Sequence, residues 1–437
     1  MAGLPWLSVA ADHARIVDEK QRTVLLRGFN SDALLEASVR HADLDDTDAS
    51  LMEQAGFDVV RLPIAWSRLE PRRGRVDGAY LDEVARTVAM LNRHHLYALL
   101  DMHFLDWGPR FEGSGAPEWA AVPLVPNLPW WPSDTWRRHL SPAQNAATTY
   151  FWLFPDWQTD FEIVWRSVAA RFRDDSGVAG YDLYNEPHPL PIPPRLFELH
   201  WMWPLYARTI DQIGRVDPNH LFVVEGTLFD DFGTAVAPLR ARDVVYSPHL
   251  YTGSLVPPAF DGDAQGIDSH IADQEREARS VPAPMLPGEL GIDHGQPHAA
   301  EWADRVLDAY DDLDAGWIWW QWRESSGWGI RNASGTDVDS GYLRHLARPY
   351  LVAAPPQVRA GRGDGITGRL TLHAAGGAGA YTVTVAWPEL TLGAPVAAGG
   401  SCLVAQTWQP DEARLVLTFG PGQCTVQVVR VVASSSS

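Results

Sequence analysis

Eight short apolar runs that alternate with amphipathic stretches constrain this fold more than any other feature of the sequence. Most of the runs are continuously apolar and end in polar residues, as parallel strands buried on both faces do. Helical periodicity between them indicates a helix after most strands, and the whole pattern predicts an α/β fold, a (β/α)8 TIM barrel. The runs cover residues 23–30, 57–64, 97–103, 178–187, 220–227, 244–251, 284–290 and 316–322.

The pattern changes after residue 350, where Gly-rich turns begin to separate short alternating runs. This spacing is typical of a small antiparallel β-sandwich. We therefore predict a barrel over residues 1–352 and a C-terminal β-sandwich over residues 353–437, ending in a disordered Ser tail. Both cysteines, Cys402 and Cys424, fall in the second domain, where they either pair or stay reduced.

Charge and hydropathy exclude several kinds of partner. The chain has 35 basic and 55 acidic residues, and its net charge of −20 opposes nucleic-acid binding. We find no run of the roughly 20 apolar residues that a membrane span requires, so stable membrane insertion is not expected. The N-terminus lacks the pattern of a secretion signal, which predicts a cytoplasmic protein, or a secreted one if a signal peptide has been removed. The oligomeric state stays open.

Tryptophan is unusually frequent, with 20 in the chain. Indole rings either build a large aromatic core or present flat faces to sugars. Two long, Trp- and Pro-rich segments, residues 104–156 and 189–204, follow the third and fourth strands on the side where barrels build active sites. They contain Phe104, Leu105, Trp107 and the PWW of residues 129–131. These segments either plug the barrel mouth or form an apolar trough for a lipid-like substrate.

Two glutamates follow strands of the predicted barrel. Glu186 lies in YNEPHP after the fourth strand, and Glu289 lies in LPGELG at the seventh. Retaining glycoside hydrolysis requires two carboxyl groups roughly 5–5.5 Å apart, one as acid/base and one as nucleophile. Two carboxylates at the mouth of one barrel are therefore candidates for that pair. The acidic run at residues 43–48 indicates only a solvated helix start.

Together with their surroundings, these motifs resemble glycoside hydrolase family 5 of clan A over residues 20–350. Within that family, MHFLDWGPRFEGSGAPEWA after strand three is most similar to the endoglycoceramidase branch. The sequence departs from the branch at two places. Phe104 and Leu105 separate His103 from the acid, so that the acid comes one position later, at Asp106, and no Lys follows GFN. The matching positions are Arg61, His103, Asn185, Glu186, His249, Tyr251, Glu289 and Trp320.

The resemblance implies a role for each position. Glu289 would be the nucleophile, kept ionised by Arg61 and Tyr251, and Glu186 would be the acid/base. Asn185 would donate to the sugar 2-hydroxyl. His103 and His249 would orient hydroxyls or hold Glu186. Trp320 would carry the glycone ring, with Trp322 on the same face two residues on.

We therefore expect a retaining β-glycosidase that cleaves the sugar–lipid bond of glycosphingolipids, with a glycolipid or β-glycoside as its partner. One alternative is a β-glucosidase or β-glucanase acting on sterol, flavonoid or soluble glycosides. A more remote alternative is a non-catalytic carbohydrate-binding barrel. No zinc-type spacing or nucleotide-binding loop is present, so no cofactor or metal is expected.

Overall fold

The computed structural model describes residues 3–121, 125–126, 140–189, 191–228 and 239–431. Three short antiparallel strands precede the barrel: β1 (Leu7–Val9), β2 (Ile16–Asp18) and β3 (Thr23–Val24). The predicted Ser tail and the PWW of residues 129–131 lie outside the described residues.

Parallel strands then curl into the barrel that the apolar runs predict. The sixth barrel strand is interrupted at Ser247 and Pro248, so that it consists of β9 and β10. These two pieces stand at opposite ends of the sheet order, so the sheet closes into a ring. Strands β5 and β6 are buried along their whole length, which explains their unbroken apolar character. The strands are β4 (Arg27–Asn30), β5 (Val59–Ile64), β6 (Tyr97–Met102), β7 (Val178–Asp182), β8 (Leu221–Val224), β9 (Val244–Tyr246), β10 (His249–Leu250), β11 (Glu289–Leu290) and β12 (Trp317–Trp319).

Helices surround the barrel and pack their apolar faces on it. They are α1 (Asp46–Gln54), α2 (Trp66–Leu69), α3 (Gly78–Arg93), α4 (Pro142–Leu153), α5 (Pro155–Phe172), α6 (Pro194–Phe197), α7 (Trp203–Gly214), α8 (Gln265–Ser280), α9 (Ala299–Asp312) and α10 (Ser340–Leu346). Among the described helices, none combines the length and the apolar character that crossing a bilayer requires.

Local signals fix where helix α1 begins. Asp45 is its N-cap, and Asp48 completes a capping box with the backbone N–H of Asp45. The acidic run at residues 43–48 is thus a helix start, as expected. The prediction that this acidic run is exposed to solvent is wrong for Asp48. Asp48 is buried and accepts hydrogen bonds from Trp322 and Arg331.

The residues after the barrel build two antiparallel sheets, the first of which also contains β1, β2 and β3. The first has the order β1-β2-β3-β13-β16-β19-β18, and the second has the order β14-β15-β20-β17. Apolar side chains of both sheets, such as Leu417 and Val426, share one buried cluster. The elements are β13 (Tyr350–Ala354), β14 (Val358–Ala360), β15 (Arg369–Ala374), β16 (Tyr381–Ala386), α11 (Glu389–Leu392), β17 (Pro395–Ala398), β18 (Leu403–Gln409), β19 (Arg414–Phe419) and β20 (Cys424–Arg430).

Strand β13 crosses the predicted boundary between residues 352 and 353. It pairs with β3 on one side and with β16 on the other, so the N-terminal strands extend a sheet that the C-terminal residues build. Cys402 and Cys424 form a disulfide, with Cα atoms 5.8 Å apart. Of the two possibilities left open by the sequence, the paired one is therefore present.

Candidate active site

Glu186 and Glu289 meet at the carboxyl ends of the parallel strands. Glu186 follows β7 and Glu289 opens β11, and oxygens from both carboxylates lie within 4.8 Å of each other and of a His249 ring nitrogen. The Glu289 side chain is only 6% exposed, whereas that of Glu186 is 25% exposed. The pair thus has one buried and one more accessible carboxylate, at a separation close to the roughly 5–5.5 Å typical of retaining glycosidases.

Two donors hold the carboxylate of Glu289. Arg61 Nη1 donates to Oε1 at 2.7 Å, and the Tyr251 hydroxyl donates to Oε2 at 2.8 Å. Burial raises the pKa of Tyr251 well above its usual value, and the charge of Glu289 raises it further. The phenol therefore stays protonated and remains a donor. One oxygen of the Glu289 carboxylate therefore faces a positive charge and the other a hydroxyl donor.

Arg61 is itself enclosed by acceptors from neighbouring strands. Burial alone lowers the pKa of Arg61, but the charges of Asp101 and Asp182 outweigh it and raise this pKa well above its usual value. The guanidinium therefore stays charged although it is fully buried. Its acceptors are Asn30 at 3.0 Å, Asp182 at 2.8 Å, Asn185 at 2.9 Å, Glu225 at 2.8 Å and Glu289 at 2.7 Å, with Asp101 at 3.2 Å.

Three carboxylates around Arg61 lie close enough together to be considered as ligands of a metal ion. Asp101, Asp182 and Glu225 present oxygens within 4.8 Å of one another, a spacing that an ion could use. The Arg61 guanidinium contacts all three of them, so it already supplies the positive charge that these carboxylates require. The donor set around Arg61 therefore fits an ion-pair network better than a metal centre.

His249 lies beside Glu186. Its Nδ1 is 2.9 Å from Oε1 of Glu186 and its Nε2 is 3.4 Å from Oε2 of Glu225. Burial lowers the pKa of His249, but the charges of Glu225 and Glu289 raise it by more, so that the net shift is well upward. His249 thus links Glu186 to a third carboxylate.

Asn185 and His103 are both oriented by buried neighbours. The Asn185 amide accepts a hydrogen bond from Arg61 and donates one to the carbonyl of Phe104 at 3.0 Å. An amide nitrogen carries two hydrogens, so this bond uses one of them. His103 Nδ1 lies 2.7 Å from Asp101, whose charge raises the pKa of His103 against the lowering effect of burial.

Trp320 forms one wall of the site. Its ring stacks on His103, with centroids 5.7 Å apart and planes 13° from parallel. The sequence also placed Trp322 on the same face, and this prediction is wrong. Strand β12 ends at Trp319, so strand alternation does not continue to Trp322, which is fully buried against Phe29.

The apolar loops divide into buried and exposed parts. Phe104 stacks on Tyr184 with centroids 4.0 Å apart, and Trp107 lies 5.5 Å from Phe104. Phe104 and Trp107 are both buried in the main core, and both line the small cavity beside Glu186. Leu196, within α6, and Leu199, two residues after it, are by contrast exposed.

The site contains buried acids that the sequence analysis missed. Asp101, Asp182 and Glu225 all contact Arg61. A signal existed for Glu225, because it ends the apolar run of the fifth strand as Glu186 ends that of the fourth. All eight predicted positions, from Arg61 to Trp320, lie at this one end of the barrel.

Comparisons with known proteins agree with this geometry. A family model described as Cellulase (glycosyl hydrolase family 5) matches residues 17–326. Endoglycoceramidase I of Rhodococcus hoagii is 28% identical over 416 residues, covering 87% of this chain and 78% of the relative. The crystal structure of an endogalactoceramidase matches with a TM-score of 0.82 and 27% identity, over 98% of this chain and 100% of that chain. Endo-glycoceramidase II from Rhodococcus sp., solved as a lactosyl-enzyme intermediate, matches with a TM-score of 0.84 and 25% identity, over 96% and 100%.

Proposed function

The chain belongs to glycosyl hydrolase family 5, and from that premise we propose that it is a retaining glycosidase that cleaves the sugar–lipid bond of glycosphingolipids. The observation that carries the proposal is the pair formed by Glu186 and Glu289, with oxygens within 4.8 Å. That spacing suits double displacement, because no room is left for water between the far carboxylate and the sugar. The relative solved as a lactosyl-enzyme intermediate supports a covalent route.

The two glutamates would act in sequence. An electron pair of the Glu289 carboxylate attacks the anomeric carbon while the bond to the lipid oxygen breaks. Glu186 gives its proton to that oxygen, so ceramide leaves as an alcohol. Water then attacks the anomeric carbon, Glu186 takes its proton, and Glu289 is released as a carboxylate. Two inversions return the sugar in its original β configuration.

The surrounding side chains suit these steps. Arg61 and Tyr251 both donate to Glu289 and hold its carboxylate in place for attack on the anomeric carbon. Trp320 presents an indole face at the wall of the site, which suits the C–H face of a glycone ring. Asn185, oriented by Arg61 and Phe104, is the candidate donor to the sugar 2-hydroxyl.

The distribution of exposed apolar side chains favours a lipid aglycone. In the described parts of residues 3–350, six of the seven exposed large apolar side chains lie in segments that follow strand ends on the Glu186 side, and the exception, Ile163, lies on α5. Where exposed apolar side chains form a patch, that patch commonly marks an interaction site. The six are Leu140, Leu153, Phe154, Leu196, Leu199 and Leu255. Relatives named endoglycoceramidase point to the same substrate class.

We also propose that the described part of residues 353–437, up to residue 431, forms a β-sandwich that acts as a structural partner of the barrel. The apolar cluster shared by the two antiparallel sheets supports a sandwich. The hydrogen bonds from Arg414 to the carbonyls of Gly56 and Phe57, at 3.2 and 3.0 Å, support tight packing on the barrel.

A substrate panel tests the proposal. The purified protein is incubated with glucosylceramide, lactosylceramide, a ganglioside, cello-oligosaccharides and an activated aryl β-glycoside, and released sugar and ceramide are measured. We expect free ceramide from at least one glycolipid, faster than cello-oligosaccharides are cleaved, and no turnover by Glu289→Gln. Hydrolysis of soluble glycosides alone would overturn the lipid assignment. Absence of turnover on every compound would overturn the enzymatic one.

A further inference from the structure

Glu225 is a buried carboxylate that the mechanism above does not use. It follows β8 and is only 2% exposed. Its Oε1 accepts a hydrogen bond from Arg61 Nη2 at 2.8 Å, and its Oε2 accepts one from the backbone N–H of Glu186 at 2.7 Å. The same Oε2 lies 3.4 Å from Nε2 of His249. One carboxylate thus touches the proposed acid/base, its histidine neighbour and the arginine that holds Glu289.

The contact to Glu186 is at an unusual backbone position. Glu186 has a φ of +44°, in the left-handed region that residues other than glycine rarely adopt. Such a conformation persists only where surrounding contacts fix it. The hydrogen bond from the Glu186 N–H to Glu225 is a contact of this kind, and it sets the direction in which the Glu186 side chain leaves the backbone.

The contact to His249 balances a charge. His249 lies between Glu186 at 2.9 Å and Glu225 at 3.4 Å. A protonated His249 that faced Glu186 alone would stabilise the Glu186 carboxylate and oppose proton uptake. With Glu225 on the opposite ring nitrogen, the imidazolium charge is shared with a second carboxylate. Burial raises the pKa of Glu225 well above its usual value, so its ionised form depends on the positive charges of His249 and Arg61, which both oppose that shift.

We propose that Glu225 is a positioning residue for the acid/base step. Its carboxylate fixes the backbone of Glu186 and offsets the charge of His249, so that Glu186 holds its proton until the leaving group takes it. This role rests on the proposed function, in which Glu186 protonates the lipid oxygen. Burying a carboxylate costs desolvation free energy. The proposed role explains why the chain buries one after β8, although this strand supplies neither of the two proposed catalytic glutamates.

The charged and titratable groups facing this assembly come from several elements. Around Glu225 these are Arg61 on β5, Asp101 on β6, Asp182 on β7, His249 on β10 and Tyr206 on α7. Around Glu186, Tyr251 and Glu289 face the carboxyl across the site, and Asp106 and His188 line the small cavity of about 20 Å³ beside it. Removing the Glu225 charge leaves Arg61 and His249 with fewer acidic partners, which favours ionised Glu186.

The test is the pH dependence of Glu225→Gln, which keeps the shape and removes the charge. We measure kcat/KM against pH for aryl β-glycosides with a poor and with a highly activated leaving group. In the profile of kcat/KM against pH, the alkaline limb for the poor leaving group should move to lower pH by about one unit, since nearby charges interact appreciably in a protein interior. At neutral pH the rate for the poor leaving group should fall on the order of tenfold, while the activated substrate changes little.

Matched variants separate this role from a loss of folding. Glu70→Gln removes another buried carboxylate, which bonds to Trp66 and Gly74 on α2 and the turn after it, and should leave the limb in place. Glu225→Asp keeps the charge but shortens the reach to Glu186, so the rate should fall while the limb stays where it is in the wild type. This second variant also decides the matter if Glu225→Gln does not fold.

The role of Glu225 would be overturned if Glu225→Gln folds and its alkaline limb stays at the wild-type pH. It would also be overturned if Glu225→Asp has wild-type rates, or if its alkaline limb moves. A wild-type protein that hydrolyses none of the β-glycosides would instead overturn the proposed function.

Discussion

Nη1 of Arg61 lies 2.7 Å from Oε1 of Glu289, and this ion pair joins β5 to β11 inside the barrel. The same guanidinium contacts Asp182 on β7 and Glu225 after β8. Asn30 on β4 and Asp101 on β6 also contact Arg61. One side chain therefore ties its own strand to residues on or directly after five others, including the carboxylate proposed as nucleophile. The site and the barrel core share this residue, so a change here affects both stability and activity.

We predict that Arg61→Met destabilises the protein by about 3–5 kcal/mol, because it leaves several buried carboxylates without their cation. Chemical denaturation measures the free energy of unfolding directly. Arg276→Met is a matched control, since Arg276 is exposed and its ion pair with Asp273 lies on the surface. Its loss should change stability by no more than about 0.5 kcal/mol. Equal stability of the two variants would contradict the buried network.

We predict that Glu186→Ala lowers kcat by roughly 10²–10⁴-fold for substrates with poor leaving groups, because only these require a proton from the enzyme. Activated aryl glycosides should be affected much less at the first step. Azide should partly restore turnover of activated substrates, since a small anion can attack the glycosyl-enzyme without a general base. Glu118→Ala, an exposed loop glutamate paired with Arg110, is the control and should retain wild-type rates. Equal losses on all substrates would contradict an acid/base role.

We predict that Leu196→Ser combined with Leu199→Ser lowers kcat/KM for glycosphingolipid by about tenfold, because each buried leucine contributes about 1.5–3 kcal/mol at full burial and contact with lipid is partial. A short aryl glycoside should be turned over at the wild-type rate. The control is Ile366→Ser with Leu390→Ser, which removes exposed apolar side chains outside the barrel. The proposed apolar contact would be wrong if both pairs of substitutions had the same effect on glycolipid.

We predict that ending the chain after residue 355 gives an insoluble or strongly destabilised barrel. The truncation removes β16, which pairs with β13, and Arg414, which donates to the carbonyls of Gly56 and Phe57 beside α1. Soluble yield and the thermal unfolding midpoint measure the effect. A soluble truncated protein with full activity would contradict the packing of the C-terminal module on the barrel.

The barrel and the pair of glutamates were predictable because their signals are local. Each strand comes from a short apolar run of the sequence, and Glu186 and Glu289 each stand one residue before the end of such a run, 178–187 and 284–290. The order of parallel strands then brings both side chains to one end without further information. Trp322 shows the limit of this reasoning, because the alternation was extended past Trp319, where the strand has already ended.

The network around Arg61 and the shared sheet were not predictable in the same way. Asp101 and Asp182 are ordinary acidic residues in sequence, and only the closed barrel places them against one guanidinium. Strand β3 pairs with β13 more than 300 residues later, and no local pattern encodes that partner. The pairing of Cys402 with Cys424 likewise depends on how the antiparallel strands come together.

Proton NMR of the sugar first released from lactosylceramide tests the central claim most directly. Double displacement by Glu289 and Glu186 predicts that β-lactose and free ceramide form together, and that the α anomer grows in only by later mutarotation. Initial release of α-lactose would contradict a retaining mechanism. Initial release of galactose would contradict cleavage at the sugar–lipid bond.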